Sequence, residues 1–198
     1  MPQCPSKKSL CLGLIIFLVG GLSFAGLNGF FNYTNHTDFC ISCHSMQTNY
    51  TEYKETTHYK NASGVRAGCA DCHVPKALGP KFAAKILAAK DVVYEVLGTI
   101  DTPEKFQARR WALANAVWQR MRANDSRECR SCHDYASMDA DLQDTRAYKK
   151  HSTAISKGKT CIDCHAGIAH EEPLGPEQEP EEESDVFHEA PSGAKETS

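Results

Sequence analysis

From Leu10 to Phe31 the chain is apolar and carries no charged residue, a longer uncharged run than any later stretch. A helix of that length spans roughly 30 Å, the thickness of a bilayer's hydrocarbon core, so residues 10–31 read as a transmembrane anchor. Lys7 and Lys8 precede it and place residues 1–9 in the cytoplasm, with the remainder outside. A cleaved signal peptide is the competing reading, with Ser23-Phe24-Ala25 as a faint cleavage site. The apolar run continues past that point to Phe31, which favours an uncleaved anchor.

Periodicity changes after the anchor. Val74 to Pro80 reads as a break, and Lys81 to Leu97 as a helix, with Phe82, Ile86, Leu87, Val93 and Leu97 at helical spacings among Lys81, Lys85, Lys90 and Asp91. A second helix begins with Thr102 as N-cap and Pro103 at its first position and runs to about Arg122. Its Phe106, Trp111, Trp118 and Met121 read as packing residues. Asn124-Asp125-Ser126 ends it. No strand-rich stretch appears, so the fold class is mainly α with little regular sheet.

Charge divides the chain. Glu171 to Ser198 holds ten acidic residues and one lysine, a net of −9, so a formal −3 overall leaves residues 1–170 at +6 by side-chain count. The Glu/Pro-rich stretch has too few apolar residues to offset the entropy of ordering and reads as a disordered acidic tail over 171–198. No aromatic-interleaved basic stripe marks a nucleic-acid surface.

Four motifs of one grammar account for eight of the ten cysteines: Cys40-Ile-Ser-Cys43-His44, Cys69-Ala-Asp-Cys72-His73, Cys129-Arg-Ser-Cys132-His133 and Cys161-Ile-Asp-Cys164-His165. CxxCH is the attachment motif of c-type haem: two thioether bonds, with the next imidazole placed to reach the iron. Structural zinc would use paired CxxC without requiring a histidine after each pair, and a thioredoxin-like dithiol would need a βαβ context. Four covalent haems are therefore expected on residues 32–170, outside the inner membrane of a bacterium. His44, His73, His133 and His165 are the motif ligands. The remaining cysteines, Cys4 and Cys11, read as bystanders.

The motif histidines are separated by 29, 60 and 32 residues, which groups the haems as two pairs. His58 precedes Cys69 by eleven residues and His151 precedes Cys161 by ten, so the domain reads as two duplicated two-haem units. Both histidines are candidates for a second axial imidazole. Only Asn32 to Phe39 separates the anchor from Cys40, which places the first haem beside the membrane, within reach of a lipid-dissolved donor.

The anchor, the first motif with Met46 after it, Cys72-His-Val-Pro, Gly98-Thr-Ile-Asp101-Thr-Pro-Glu-Lys-Phe, Arg122-Ala-Asn-Asp-Ser-Arg-Glu-Cys129 and Gly158-Lys-Thr-Cys-Ile-Asp-Cys-His-Ala-Gly-Ile-Ala-His170 together resemble the NapC/NirT family of membrane-anchored multihaem cytochromes c. The resemblance implies oxidation of membrane quinol, menaquinol or ubiquinol, and electron delivery to a periplasmic reductase. A longer relative in trimethylamine N-oxide respiration carries a further haem domain, which tilts the expectation toward nitrate reductase. A nitrite or other reductase, or a relay fed by another membrane protein, are the alternatives. The resemblance also implies site roles. Met46 or His44 is the axial ligand of haem 1, and Asp91 lies by the quinol. Lys85, or alternatively Lys76, completes haem 2, while His151 completes haem 3 and His58 haem 4. Asp91 and Lys85 are the candidates to take quinol protons, and His170 is a weaker ligand candidate. Gly13, Gly20, Gly21 and Gly26 would suit a homodimer through the anchor.

Overall fold

The computed structural model describes residues 6–175. Cys4 and the acidic tail beyond Gly175 lie outside the described residues.

Helix α1, Lys7–Tyr33, is opened by Ser6, whose Oγ accepts from the Ser9 N–H at 3.3 Å. Its most apolar 18-residue window has mean hydropathy 2.4, and none of that window is buried against the rest of the protein. A helix satisfies its own backbone hydrogen bonds, so only its side chains need an apolar surrounding. α1 is long and apolar enough to cross a membrane.

Phe31 is its one buried residue, its ring 6.2 Å from that of Phe82. Thr34 then closes the helix by donating to the Phe30 carbonyl at 2.9 Å. The short helix α2, Thr37–Cys40, leads to α3, His44–Tyr53, so the first motif spans the junction between two helices.

α4, Cys69–His73, holds the second motif. α5 spans Leu78–Val96 and so begins three residues before the expected start. Gly79-Pro80 is not a break: Pro80 falls in the first turn, where a missing N–H removes no helical hydrogen bond. The helix ends where Gly98 takes φ +70°. There Gly98 N–H donates to Glu95 O at 3.0 Å and Thr99 N–H to Tyr94 O at 2.8 Å, a Schellman closure.

α6, Pro103–Ala123, has Thr102 accepting from the Lys105 N–H at 3.3 Å and Pro103 at its first position, as the sequence indicates. α7, Arg127–Arg130, holds the first cysteine of the third motif, whose Cys132 and His133 follow it; α8, Thr145–Ala154, precedes the fourth, which forms a 3-10 turn over Cys161–Asp163. Among the described residues there is no strand, in agreement with the mainly α expectation.

α6 is the central element, packed on α3 and on the turn of the fourth motif, while α4 packs on α7. Side chains buried in apolar contact are few: Phe31, Tyr53, Ile100, Phe106, Met121 and Ile162. The chain after α6 turns on Asp125 and Ser126, both non-glycine residues at positive φ, 58° and 47°. Ser126 is fully buried, and its Oγ accepts from the Ile162 N–H at 3.2 Å, tying the end of α6 to the fourth motif. Ser126→Ala leaves that buried N–H unpaired and is expected to destabilise by about 1–3 kcal/mol, read as a lower denaturant midpoint with no change in slope.

Candidate functional site

Each motif is held by the residue two before its histidine, and the four fall into two kinds. In the first and third motifs that residue is a serine: Ser42 Oγ donates to Phe39 O and Ser131 Oγ to Glu128 O, both at 2.7 Å. In the second and fourth it is an aspartate. Asp71 accepts from the Gly68 N–H at 2.7 Å and Asp163 from the Thr160 N–H at 2.8 Å, each reaching the residue before the first cysteine. The first cysteines of neighbouring motifs also adjoin in the same order, Cys40 against Cys69 and Cys129 against Cys161.

Three of the four motif histidines face a second imidazole. Ring centroids are 6.1 Å apart for His58 and His133, 6.3 Å for His73 and His170, and 6.1 Å for His151 and His165. Metal–imidazole bonds are about 2.0–2.1 Å long, so two rings sharing one metal stand with centroids roughly 6 Å apart.

The outer histidines are also oriented. Gln143 Oε1 lies 2.7 Å from His151 Nδ1 and Asn49 O lies 3.2 Å from His170 Nδ1. Those oxygens only accept, so Nδ1 carries the proton and Nε2 keeps its lone pair. His58 Nδ1 is buried with no hydrogen-bond partner, and the loop bearing this residue is fixed by Tyr53, whose hydroxyl donates to the carbonyls of His58 (3.0 Å) and Ala67.

Protein around His73 pushes its imidazole down to about 4, with His170 and Arg120 adding to the effect. Burial lowers His58 and His170 as well, the former helped by His133. All three are then neutral near pH 7, the form that binds iron. His73 lines a cavity of about 280 Å3 with Cys72, Ala83, Ala84, Leu87 and Arg120.

The pairing differs from what the resemblance implies. His58 stands at the third motif instead of the fourth, because α4 packs on α7 and carries the preceding loop toward His133. His151 stands at the fourth instead of the third, beside Tyr135 and His165. The near-equal spacing of His58 and His151 therefore does not give equal geometry: His151 faces the motif that follows it, and His58 does not.

No second imidazole faces His44 among the described residues. The motif is held by Glu95, whose carboxylate accepts from the N–H groups of His44 (2.8 Å) and Ser45 (3.4 Å) and from Ser45 Oγ at 2.6 Å, and so caps α3. Met46 Sδ lies 4.0 Å from Asn49 Nδ2. Lys85, expected at haem 2, instead donates to Thr34 O at 3.0 Å and Thr34 Oγ1 at 2.9 Å, at the end of α1. Burial lowers its ammonium, opposed by nearby Cys40. Asp91 is half-buried and raised by that burial, and the charges acting on it are Lys90 and Arg120, not groups of the first motif. Lys76 lies near the second motif, lining a shallow cavity with Asp71 and Val74.

Comparison with known proteins agrees with this geometry. The model of the NapC/NirT cytochrome c family, N-terminal region, matches residues 4–175. The chain belongs to this family. It is 60% identical over 173 residues, 87% of this chain and 94% of the relative, to a protein of Allochromatium vinosum described as tetraheme cytochrome-c type. It is 51% identical to the denitrification system component NirT of Stutzerimonas stutzeri, over 85% of each chain. It is 47% identical to the cytochrome c-type protein NapC of Escherichia coli, over 90% of each. No solved structure matches. As a cytochrome c of the NapC/NirT family it carries covalently bound haem, and the facing neutral imidazoles suit that group.

Sequence reasoning underweighted His170 and missed Glu95. His170 follows a motif by only five residues, and nothing local indicates that it crosses to His73. Glu95 lies 51 residues from the backbone it caps. Because Lys85 is engaged at Thr34, Lys85→Met is expected to leave the low-spin ferric signals of all haems unchanged. Electron paramagnetic resonance of the parent and variant checks this.

Proposed function

We propose that this NapC/NirT-family chain is a tetrahaem quinol dehydrogenase: it takes electrons from membrane quinol at its first haem and passes them through three further haems to a periplasmic reductase. The observation that carries the reading is the asymmetry of the motifs. Three are faced by imidazole, and the one that is not lies next to the end of an apolar helix. On this reading Cys40, Cys43, Cys69, Cys72, Cys129, Cys132, Cys161 and Cys164 attach the haems.

His73 with His170, His133 with His58, and His165 with His151 would hold three of the haems, and Met46 or His44 would hold haem 1. Bis-imidazole ligation favours low potential and thioether ligation a higher one, so Met46 suits an entry site that must accept electrons from quinol. The haems supply one-electron carriage. The protein's residues hold and insulate them and accept the two protons that quinol loses with its two electrons. Asp91 is the proton acceptor that the family resemblance implies, and burial raises its carboxyl toward proton affinity; its charged neighbour Arg120 stands by His73 of the second motif. Glu95 places a carboxylate against the first motif and lowers the potential of the haem there.

The reductase proposed is one for oxidised nitrogen, nitrate reductase first. Likeness to a denitrification system component supports it. α1 anchors the chain with its N-terminus in the cytoplasm, following Lys7 and Lys8.

The test is haem absorbance of the detergent-solubilised protein under anaerobic conditions after addition of menaquinol or ubiquinol, with and without a quinol-site inhibitor. Rapid inhibitor-sensitive reduction supports the proposal; no reduction by either quinol, in protein that dithionite reduces fully, makes the chain a relay with a protein donor. Asp91→Asn is expected to slow quinol oxidation roughly 10²- to 10⁴-fold at unchanged haem content, measured by stopped-flow reduction. Glu95→Gln removes a negative charge at the first motif and is expected to raise the midpoint potential of that one haem in a redox titration, leaving the other three in place.

A further inference from the structure

Glu52 and Arg110 form an ion pair 2.5 Å apart whose side chains are only 12% and 10% exposed, the most buried ion pair on both sides among the described residues. Glu52 lies near the end of α3 and Arg110 in the middle of α6. A buried pair of this kind is weak evidence for stability, since desolvation opposes the attraction. What it touches indicates a more specific role. Arg110 Nη2 also donates to the Glu171 carbonyl at 2.9 Å, and Glu52 Oε2 also accepts from the Glu171 N–H at 3.0 Å. One charged pair therefore holds both backbone polar groups of the residue next to His170.

Three residues before Glu52 on the same helix, Asn49 O receives His170 Nδ1. Asn49 and Glu52 share one face of α3, so that face fixes the ring and the backbone of a histidine that sits on irregular chain. A ligand there would otherwise be free to leave: the segment after the last motif has no helix of its own among the described residues. The contact continues to Gly175, which lies against the Trp111 indole of α6.

We propose that Glu52 and Arg110 are positioning residues that clamp His170 opposite His73 and so keep the second haem six-coordinate. The proposal rests on the axial pairing of His73 with His170 given above. α3 begins at His44, so the clamp also joins the helix that leaves the first motif to the outer ligand of the second.

Arg110→Lys keeps the charge but replaces the guanidinium, whose Nη2 reaches both Glu52 and the Glu171 carbonyl, with a shorter side chain and a differently aimed nitrogen. Weakening an outer partner of a metal ligand costs about 10- to 100-fold in metal affinity or activity. Carbon monoxide, which competes with His170 for reduced iron, should therefore bind one haem of the full-length protein roughly 10- to 100-fold more tightly in Arg110→Lys. A high-spin ferric signal should appear from that haem alone, and added free imidazole should remove it. Glu52→Gln should act in the same direction, and His170→Ala should open that same haem fully.

If His170→Ala opens no haem, the axial pairing itself fails. If His170→Ala opens one haem while Arg110→Lys and Glu52→Gln leave spin state and carbon monoxide affinity at parent values, the clamp is wrong and the pairing stands. Loss of haem or of low-spin signal across all four sites in both clamp variants would equally overturn the proposal, making the pair a support of the whole fold.

Discussion

Two imidazoles facing each other across about 6 Å are a costly arrangement for a protein to hold, and three such pairs organise this chain. Protonated, the rings would repel; neutral, they offer lone pairs that water no longer satisfies. Burial around His58, His73 and His170 resolves the choice toward the neutral form. That leaves the paired rings ready for a metal. A carbonyl or amide oxygen at the far nitrogen of His151 and His170 turns the correct nitrogen inward.

Once these pairs are required, much of the remaining structure follows. Two of them bring together residues from distant parts of the chain, 75 positions apart for His58 and His133 and 97 for His73 and His170, while His151 and His165 are 14 apart. α6 acts as the post on which α3 and the fourth motif rest. Apolar side-chain contacts are sparse because attached macrocycles take the place that leucines and phenylalanines hold in an ordinary helical domain. Polar ties do the local work instead: Ser126 to Ile162, Tyr53 to the His58 loop, Arg122 to Asp163 at 2.9 Å.

The two-fold character of the domain is expressed at the motifs and lost beyond them. Serine in the first and third motifs, and aspartate in the second and fourth, make the same hydrogen bonds in each half. The outer histidines do not follow the repeat. A cap is a local interaction and recurs with its motif, whereas the partner of an outer histidine depends on how distant segments pack. The first motif is the extreme case: its surroundings are α1, Glu95 and Met46, which have no counterpart in the second half.

What the sequence by itself determined is whatever a spacing of a few residues controls. The four CxxCH motifs name their chemistry in five residues each, the uncharged run to Phe31 identifies an apolar helix, and Thr102-Pro103 starts α6 where it is found. Pro80 read as part of a break, and the structure puts it in the first turn of α5, since a proline ends one helix and begins another by the same missing N–H. Tertiary structure decided which side chains meet across the gaps: His170 with His73, His58 with the third motif, Lys85 with Thr34, and Glu95 with the first motif 51 residues away. Those partners are set by the packing of α3, α4 and α5 against their neighbours, and helix packing depends on surfaces assembled from the whole chain, which no local pattern of residues encodes.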